Sequence, residues 1–210
     1  GHILKRSEVQ DYSLKGKIGK NLGDCTVGVI GTGRIGQAVI NRVAGFGSKI
    51  LAYDIYQNDN VKKYAEYTDF ETLIRESDLI TLHTPGSDEN HHLLNAEAFE
   101  KMKNGVIIIN TARGRLIDTD ALIDAIECGK VGGAGLDVLE HEDGLYYANR
   151  MGDVIVNRRM AVLRSFPNVI LTPHTAFYSD IVVSNMAEKT IKCVLDMAEG
   201  KDNPNIIINN

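Results

Sequence analysis

A short apolar run, Val27 to Ile30, breaks into Gly31-Thr32-Gly33-Arg34-Ile35-Gly36, and helical spacing begins at once behind it. A Gly-x-Gly-x-x-Gly turn between a strand and a helix restricts the fold more than any other stretch of the chain. The first glycine permits the tight turn out of the strand. The second leaves room where a pyrophosphate would lie, and the third lets the helix pack close to the strand. The N-terminus of that helix offers free N–H groups and partial positive charge to phosphates. Alone the motif is a common chance match, so its surroundings decide its meaning.

Those surroundings alternate. Strand patterns fall at 26–30, 49–54, 78–83, 105–110, 133–138 and 168–173. A helix over 34–43 carries Ile35, Ala38, Val39 and Val43 on one face and ends at Gly45 and Gly47. Asp69 can cap a short helix, Asn95 the next, and Asp118 or Thr119 one whose face is Leu122, Ile123 and Ile126. A long amphipathic helix runs over 179–199. The run 105–110 is apolar throughout, the pattern of a parallel strand buried on both faces. Short connections between such elements give right-handed βαβ units. The expected fold is therefore α/β, a doubly wound parallel sheet of the Rossmann type with helices on both faces. Residues 140–165 break the alternation and hold Tyr146, Tyr147, Arg158, Arg159 and Arg164, with 160–163 the helical piece.

Composition excludes several partners. A formal charge of −5 without a basic tract gives no general attraction to nucleic acid or anionic membrane. No apolar run approaches the roughly 20 residues of a bilayer span. Gly1-His2 reads as a cloning scar. Cys25, Cys128 and Cys193 lie too far apart for a metal knuckle or redox pair, so no metal is expected and the thiols read as buried and inert in a reducing cytoplasm.

In a sheet of this type an acid closing the second strand takes the adenosine ribose hydroxyls, about 20 residues beyond the glycines. Asp54 lies 18 residues past Gly36. Its charge repels a 2′-phosphate, which selects NAD over NADP. Ligands then lie in the crevice beyond the carboxyl ends of the strands. His83-Thr84-Pro85, Asn110-Thr111-Ala112-Arg113, Asp137 and His174 all come from such ends. Arg113 can grip a carboxylate with its planar fork and stabilise charge on a neighbouring carbonyl oxygen. Imidazolium at His174 is a natural proton donor for a ketone reduced by hydride. It needs an orienting carboxylate, for which Glu140, Glu142 and Asp143 are all available.

The stretches 26–36, 110–114 (Asn-Thr-Ala-Arg-Gly), 136–140 (Leu-Asp-Val-Leu-Glu) and 172–176 (Thr-Pro-His-Thr-Ala) together resemble the D-isomer-specific 2-hydroxyacid dehydrogenases, in particular their D-lactate dehydrogenase-like subgroup. The resemblance covers most of 20–178. It implies hydride transfer between NADH and the C2 of a small 2-keto acid, with Arg113 binding the substrate carboxylate, His174 as acid/base and Glu142 as its partner. It implies NAD contacts at Gly31, Gly33, Arg34, Ile35 and Gly36, at Asp54, at Thr84, Pro85 and Asn90, and at Thr111, Ala112 and Asp137. Such enzymes carry a substrate domain ahead of residue 1 and form homodimers. On this reading 1–21 is a lead-in from that domain, 22–175 the dinucleotide-binding domain, and 176–210 a helix that packs on the substrate domain. Cloning, proteolysis or gene truncation would explain its lack here. The chain alone should keep NAD and lose most turnover. Two other readings stand beside this one: a non-catalytic, redox-sensing NAD module, and a glycerate or phosphoglycerate-type dehydrogenase.

Overall fold

Strand β1 (Thr26–Ile30) is the axis from which the chain winds outward twice. The computed structural model describes residues 10, 12, 18–147, 149, 151–154 and 156–204, so the expected lead-in over 1–21 falls mostly outside the described residues. After β1 come α1 (Arg34–Ala44), β2 (Lys49–Tyr53), β3 (Glu66–Tyr67), α2 (Phe70–Glu76) and β4 (Leu79–Leu82). Then follow α3 (Ala96–Lys101), β5 (Val106–Asn110), α4 (Thr119–Glu127), β6 (Val131–Leu136), α5 (Arg158–Ser165), β7 (Val169–Leu171) and α6 (Asp180–Ala198). The seven strands lie in the order β3-β2-β1-β4-β5-β6-β7, all parallel. The first three strands run outward from β1, and β4 returns to its other side. The direction of winding reverses between β1 and β4, where a doubly wound sheet opens a crevice at its strand ends.

Two apolar clusters cover the two faces. Val27 and Val29 of β1 pack with Ile50, Ala52 and Ile40 of α1 on one side. Ile30, Leu51, Ile80, Leu82 and Ile108 meet α2, α3 and α4 on the other. Period-two side-chain alternation in buried strands feeds both clusters. Asp78 stitches the amino ends of the strands: its carboxylate accepts from the Thr26 N–H at 2.9 Å and faces Lys103 at 3.3 Å and Lys20 at 3.5 Å.

The expected caps are present. Asp69, Asn95 and Asp118 each accept from first-turn N–H groups of α2, α3 and α4, and Asn157 does so for α5. Several expectations need correction. The sheet has a seventh strand, β3, whose two residues are too few to show a pattern. The helical piece at 160–163 extends over the whole of α5. Ile35, assigned to the buried face of α1, is 67% exposed, and Gly36 and Ile40 are the buried positions. Ile107 and Ile109 are half-buried, so β5 is sealed on one face only. Of the three thiols expected to be buried, only Cys25 is: Cys128 is exposed and Cys193 half-buried.

The chain divides into two compact units after Pro173. The second unit holds α6, begun by Ser179, whose hydroxyl accepts from the Val182 N–H. Within it Asn203 donates to the Asp196 carboxylate. Ile181, Met186, Ile191, Val194 and Met197 of this helix are all more than half exposed.

Candidate functional site

The crevice is built first from backbone. Gly31 sits at φ +92°, a left-handed conformation that a side chain rarely adopts. A Cβ there would also come within 2.6 Å of the His83 carbonyl, because the turns leaving β1 and β4 touch. A Cβ on Gly36 would overlap the Gly31 carbonyl oxygen. Protein packing therefore accounts for the first and third glycines. It does not account for the second: a Cβ on Gly33 would meet nothing within 4 Å.

Gly33 is also the N-cap of α1, and it offers no side-chain hydrogen bond to the first turn. Every other α-helix among the described residues begins on Asp, Asn or Ser that does. The first turn of α1 carries no acid. Its N–H groups and dipole face open space beside Arg34 and Ile35, which are both exposed. An anionic pyrophosphate fits that cradle.

Asp54 follows β2 directly. Its Oδ2 accepts from the Thr32 N–H at 2.6 Å and the Thr32 hydroxyl at 3.0 Å, and Oδ1 accepts from the Tyr56 N–H at 3.0 Å. The Tyr67 hydroxyl of β3 closes the network on Thr32 at 2.8 Å. A carboxylate offers about four acceptor positions. Three are used to set its orientation, and one remains for a ribose hydroxyl. Thr32 and Tyr67 were not legible as site residues: Thr32 is an "x" of the motif, and Tyr67 lies on the unforeseen strand.

Across the crevice, Asn90 Nδ2 donates to the Thr84 hydroxyl at 3.3 Å and the Pro85 carbonyl at 3.0 Å, which folds residues 84–90 into one loop. His83 bonds the Thr81 hydroxyl at 2.9 Å, and burial pushes its imidazole below its ordinary value. Burial thus favours its neutral form. Buried Asn110 shapes the next loop. Its oxygen accepts from the Ala112 N–H at 3.0 Å, and its Nδ2 donates to the Arg113 carbonyl at 2.9 Å. Thr111 and Arg113 are left exposed on that loop. Asp137 follows β6, donates its N–H to the Asn110 carbonyl at 2.9 Å and accepts from the Thr172 hydroxyl.

Arg113 and Glu142 line one depression of about 360 Å³ together with His91, Gly114 and Glu140. Gly114 is what lets the two loops meet, since a Cβ there would overlap the Leu139 carbonyl. Glu142 accepts from the Leu139 N–H. Burial and the Glu142 and Asp137 carboxylates push the nearby Tyr146 phenol up to about 12.

The three carboxylates left open by the sequence now differ. Glu140 accepts from the Thr119 N–H at 3.0 Å and the Thr119 hydroxyl at 2.6 Å, and it meets His92 at 2.7 Å. Burial raises its carboxyl, but those bonds from Thr119 and His92 outweigh burial and hold it below the usual range. Asp143 is exposed. His174 belongs to the second unit, where it stands at φ +53° and is half-buried. The first unit thus brings together the glycine turn, Asp54, Thr84, Pro85, Asn90, Thr111, Ala112, Asp137, Arg113 and Glu142.

Fold and crevice define a dinucleotide-binding domain of the doubly wound class. The family model for the NAD binding domain of D-isomer specific 2-hydroxyacid dehydrogenases matches residues 3–176. The chain belongs to that family and carries its NAD-binding domain. An aromatic 2-oxoacid reductase of Clostridium sporogenes is 48% identical over 189 residues, 90% of this chain and 57% of the relative. A D-lactate dehydrogenase of Lactiplantibacillus plantarum is 45% identical over 183 residues, 87% of this chain and 55% of the relative. Among solved structures, the D-lactate dehydrogenase of Aquifex aeolicus complexed with NAD and lactic acid superposes with a TM-score of 0.86 at 40% identity. That match covers 94% of this chain and 61% of the other. The chain therefore spans somewhat more than half the length of the curated relatives it matches.

Proposed function

We propose that this domain serves a cytoplasmic NAD-dependent D-2-hydroxyacid dehydrogenase of the D-lactate dehydrogenase-like kind, a homodimer at full length. The observation that carries the cofactor part is Gly33. Among the described residues nothing occupies the space a side chain would fill there, and the helix behind it has no side-chain cap. Gly31, Gly36, Arg34 and Ile35 would hold the pyrophosphate, and Asp54 the ribose. Thr84, Pro85, Asn90, Thr111, Ala112 and Asp137 would line the way to the nicotinamide. Free thiols at Cys25, Cys128 and Cys193 fit a reducing compartment. No helix of the described residues is long and apolar enough to cross a membrane.

When bound, a reduced nicotinamide supplies a hydride for the C2 carbonyl of a 2-keto acid. The chain's own groups supply the rest. Arg113, exposed at its loop, binds the substrate carboxylate in a bidentate manner and stabilises the developing alkoxide. His174 donates the proton that completes the alcohol, and Glu142 is the carboxylate that favours its charged form. The acid, base and anchor together argue against a redox sensor without turnover. A phosphorylated substrate would need spare basic groups, and Arg159 is engaged in a two-pronged pair with Asp120.

A panel of pyruvate, phenylpyruvate, 2-ketoisocaproate and hydroxypyruvate tests this reading on a chain extended to the full length of its relatives. NADH-dependent reduction of pyruvate or a larger 2-keto acid is expected. Turnover of hydroxypyruvate alone would favour a glycerate-type enzyme, and turnover of none would favour the sensor.

A further inference from the structure

We propose that His91, His92 and Glu140 form a site for a divalent transition-metal ion of the zinc class, at the edge of the depression that holds Arg113. One nitrogen from each histidine and one Glu140 oxygen all lie within 4.8 Å of one another. The three residues come from two loops: the histidines from the one after β4, the glutamate from the one after β6. No regular spacing in the sequence relates them, and the scattered cysteines lie elsewhere in the chain.

Two of the three ligands, His92 and Glu140, are held in place by other contacts. The two imidazoles are stacked, with ring centroids 3.9 Å apart and planes inclined by 22°. His92 holds φ +50°, a conformation unusual for a residue with a side chain, and its N–H is fixed on the Arg115 carbonyl at 2.9 Å. Thr119 pins one oxygen of Glu140, which leaves the other aimed at His92 Nε2. Behind His92, Nδ1 faces the Asp118 carboxylate at 3.7 Å. That carboxylate supports charge on the imidazole, at a distance too long for the hydrogen bond that usually backs a ligating histidine. The exposed face of His91 gives an ion its way in.

The donor set selects the ion. Two imidazoles and a carboxylate suit zinc, cobalt and their neighbours, and suit magnesium or calcium poorly. Bonds of about 2.1 Å in a tetrahedron set ligand atoms about 3.4 Å apart. His92 Nε2 and Glu140 Oε1 stand at 2.7 Å and need to part by less than an ångström, while the ligand atoms of the set, all within 4.8 Å of one another, need to close by at most about 1.4 Å. Three protein ligands leave a fourth position for water or an anion. A bound ion would clamp the loop after β4 to the loop after β6 and add positive charge beside Arg113.

Cobalt(II) is the probe, because its visible absorption reports coordination. After treatment with a chelator, the chain is titrated with cobalt(II) at pH 7.5, and zinc is then used to displace it. Saturation at one equivalent, with the intense bands of a four- or five-coordinate ion, is expected. His91→Ala, at an exposed position that leaves the fold intact by circular dichroism, should weaken binding by about tenfold or more. His2→Ala should leave it unchanged. Absence of saturable binding, equal binding in His91→Ala, or loss in His2→Ala would each overturn the site. None of these readouts involves the nicotinamide cofactor, so the result is independent of the dehydrogenase reading.

Discussion

Replacing Gly36 by alanine is expected to destabilise the first unit and to weaken NADH binding by at least about tenfold, whereas the same change at Gly33 should weaken NADH binding and leave stability nearly intact. On propensity alone neither change looks severe: inside the helix, at Gly36, alanine is favoured by about 1 kcal/mol, and at the N-cap, Gly33, it costs about 1 kcal/mol or less. Geometry separates them. At Gly36 the new Cβ overlaps the Gly31 carbonyl oxygen, a backbone atom that cannot swing aside. The helix must back away from β1 and loosen its packing on Val27 and Val29. Overpacking of this kind costs about 1–3 kcal/mol and occasionally more. At Gly33 the Cβ enters space that no atom of the described residues fills. Urea denaturation followed by circular dichroism, beside an NADH titration, separates the two effects. Equal stability loss at both positions would mean that Gly33 is a packing glycine, and the phosphate cradle would lose its best support.

His174→Ala, in a chain extended to the length of its relatives, should lower 2-keto acid reduction by about 10²–10⁴-fold, the usual worth of a positioned general acid. Arg113→Ala should act at least as strongly on kcat/KM, because it removes both the carboxylate grip and charge stabilisation in the transition state. Arg113→Lys should recover little, since an ammonium cannot reproduce the planar fork. Steady-state rates with pyruvate, with NADH binding measured separately, decide the matter. Near-normal rates in either alanine variant would remove that residue from its role.

Much of this arrangement was legible in the chain. The glycine turn, the caps at Asp69, Asn95 and Asp118, and the apolar strands are local signals, and local signals survive folding. The place of Asp54 at the end of β2 was legible because the distance from glycine turn to second strand is set by one helix. Side-chain direction was harder. Ile35 carries helical spacing, yet at the first turn of α1 it points away from the sheet. Contacts made across many residues left no trace at all. Nothing near Asn110 says that its side chain is buried and holds the Arg113 loop from both sides. Nothing near Glu140 says that Thr119 and His92 claim its oxygens. The choice among Glu140, Glu142 and Asp143 could not be made from spacing, since all three lie within four residues.

The central claim is that the turn at Gly31–Gly36 and the carboxylate of Asp54 hold NAD. Fluorescence titration of NADH with this 210-residue chain tests it most directly. Saturable binding is expected, with a loss of at least about tenfold in Asp54→Arg, the change expected when a charge-assisted hydrogen bond worth about 1.5–3 kcal/mol is removed. No binding to the folded chain, or binding unchanged in Asp54→Arg, would contradict it.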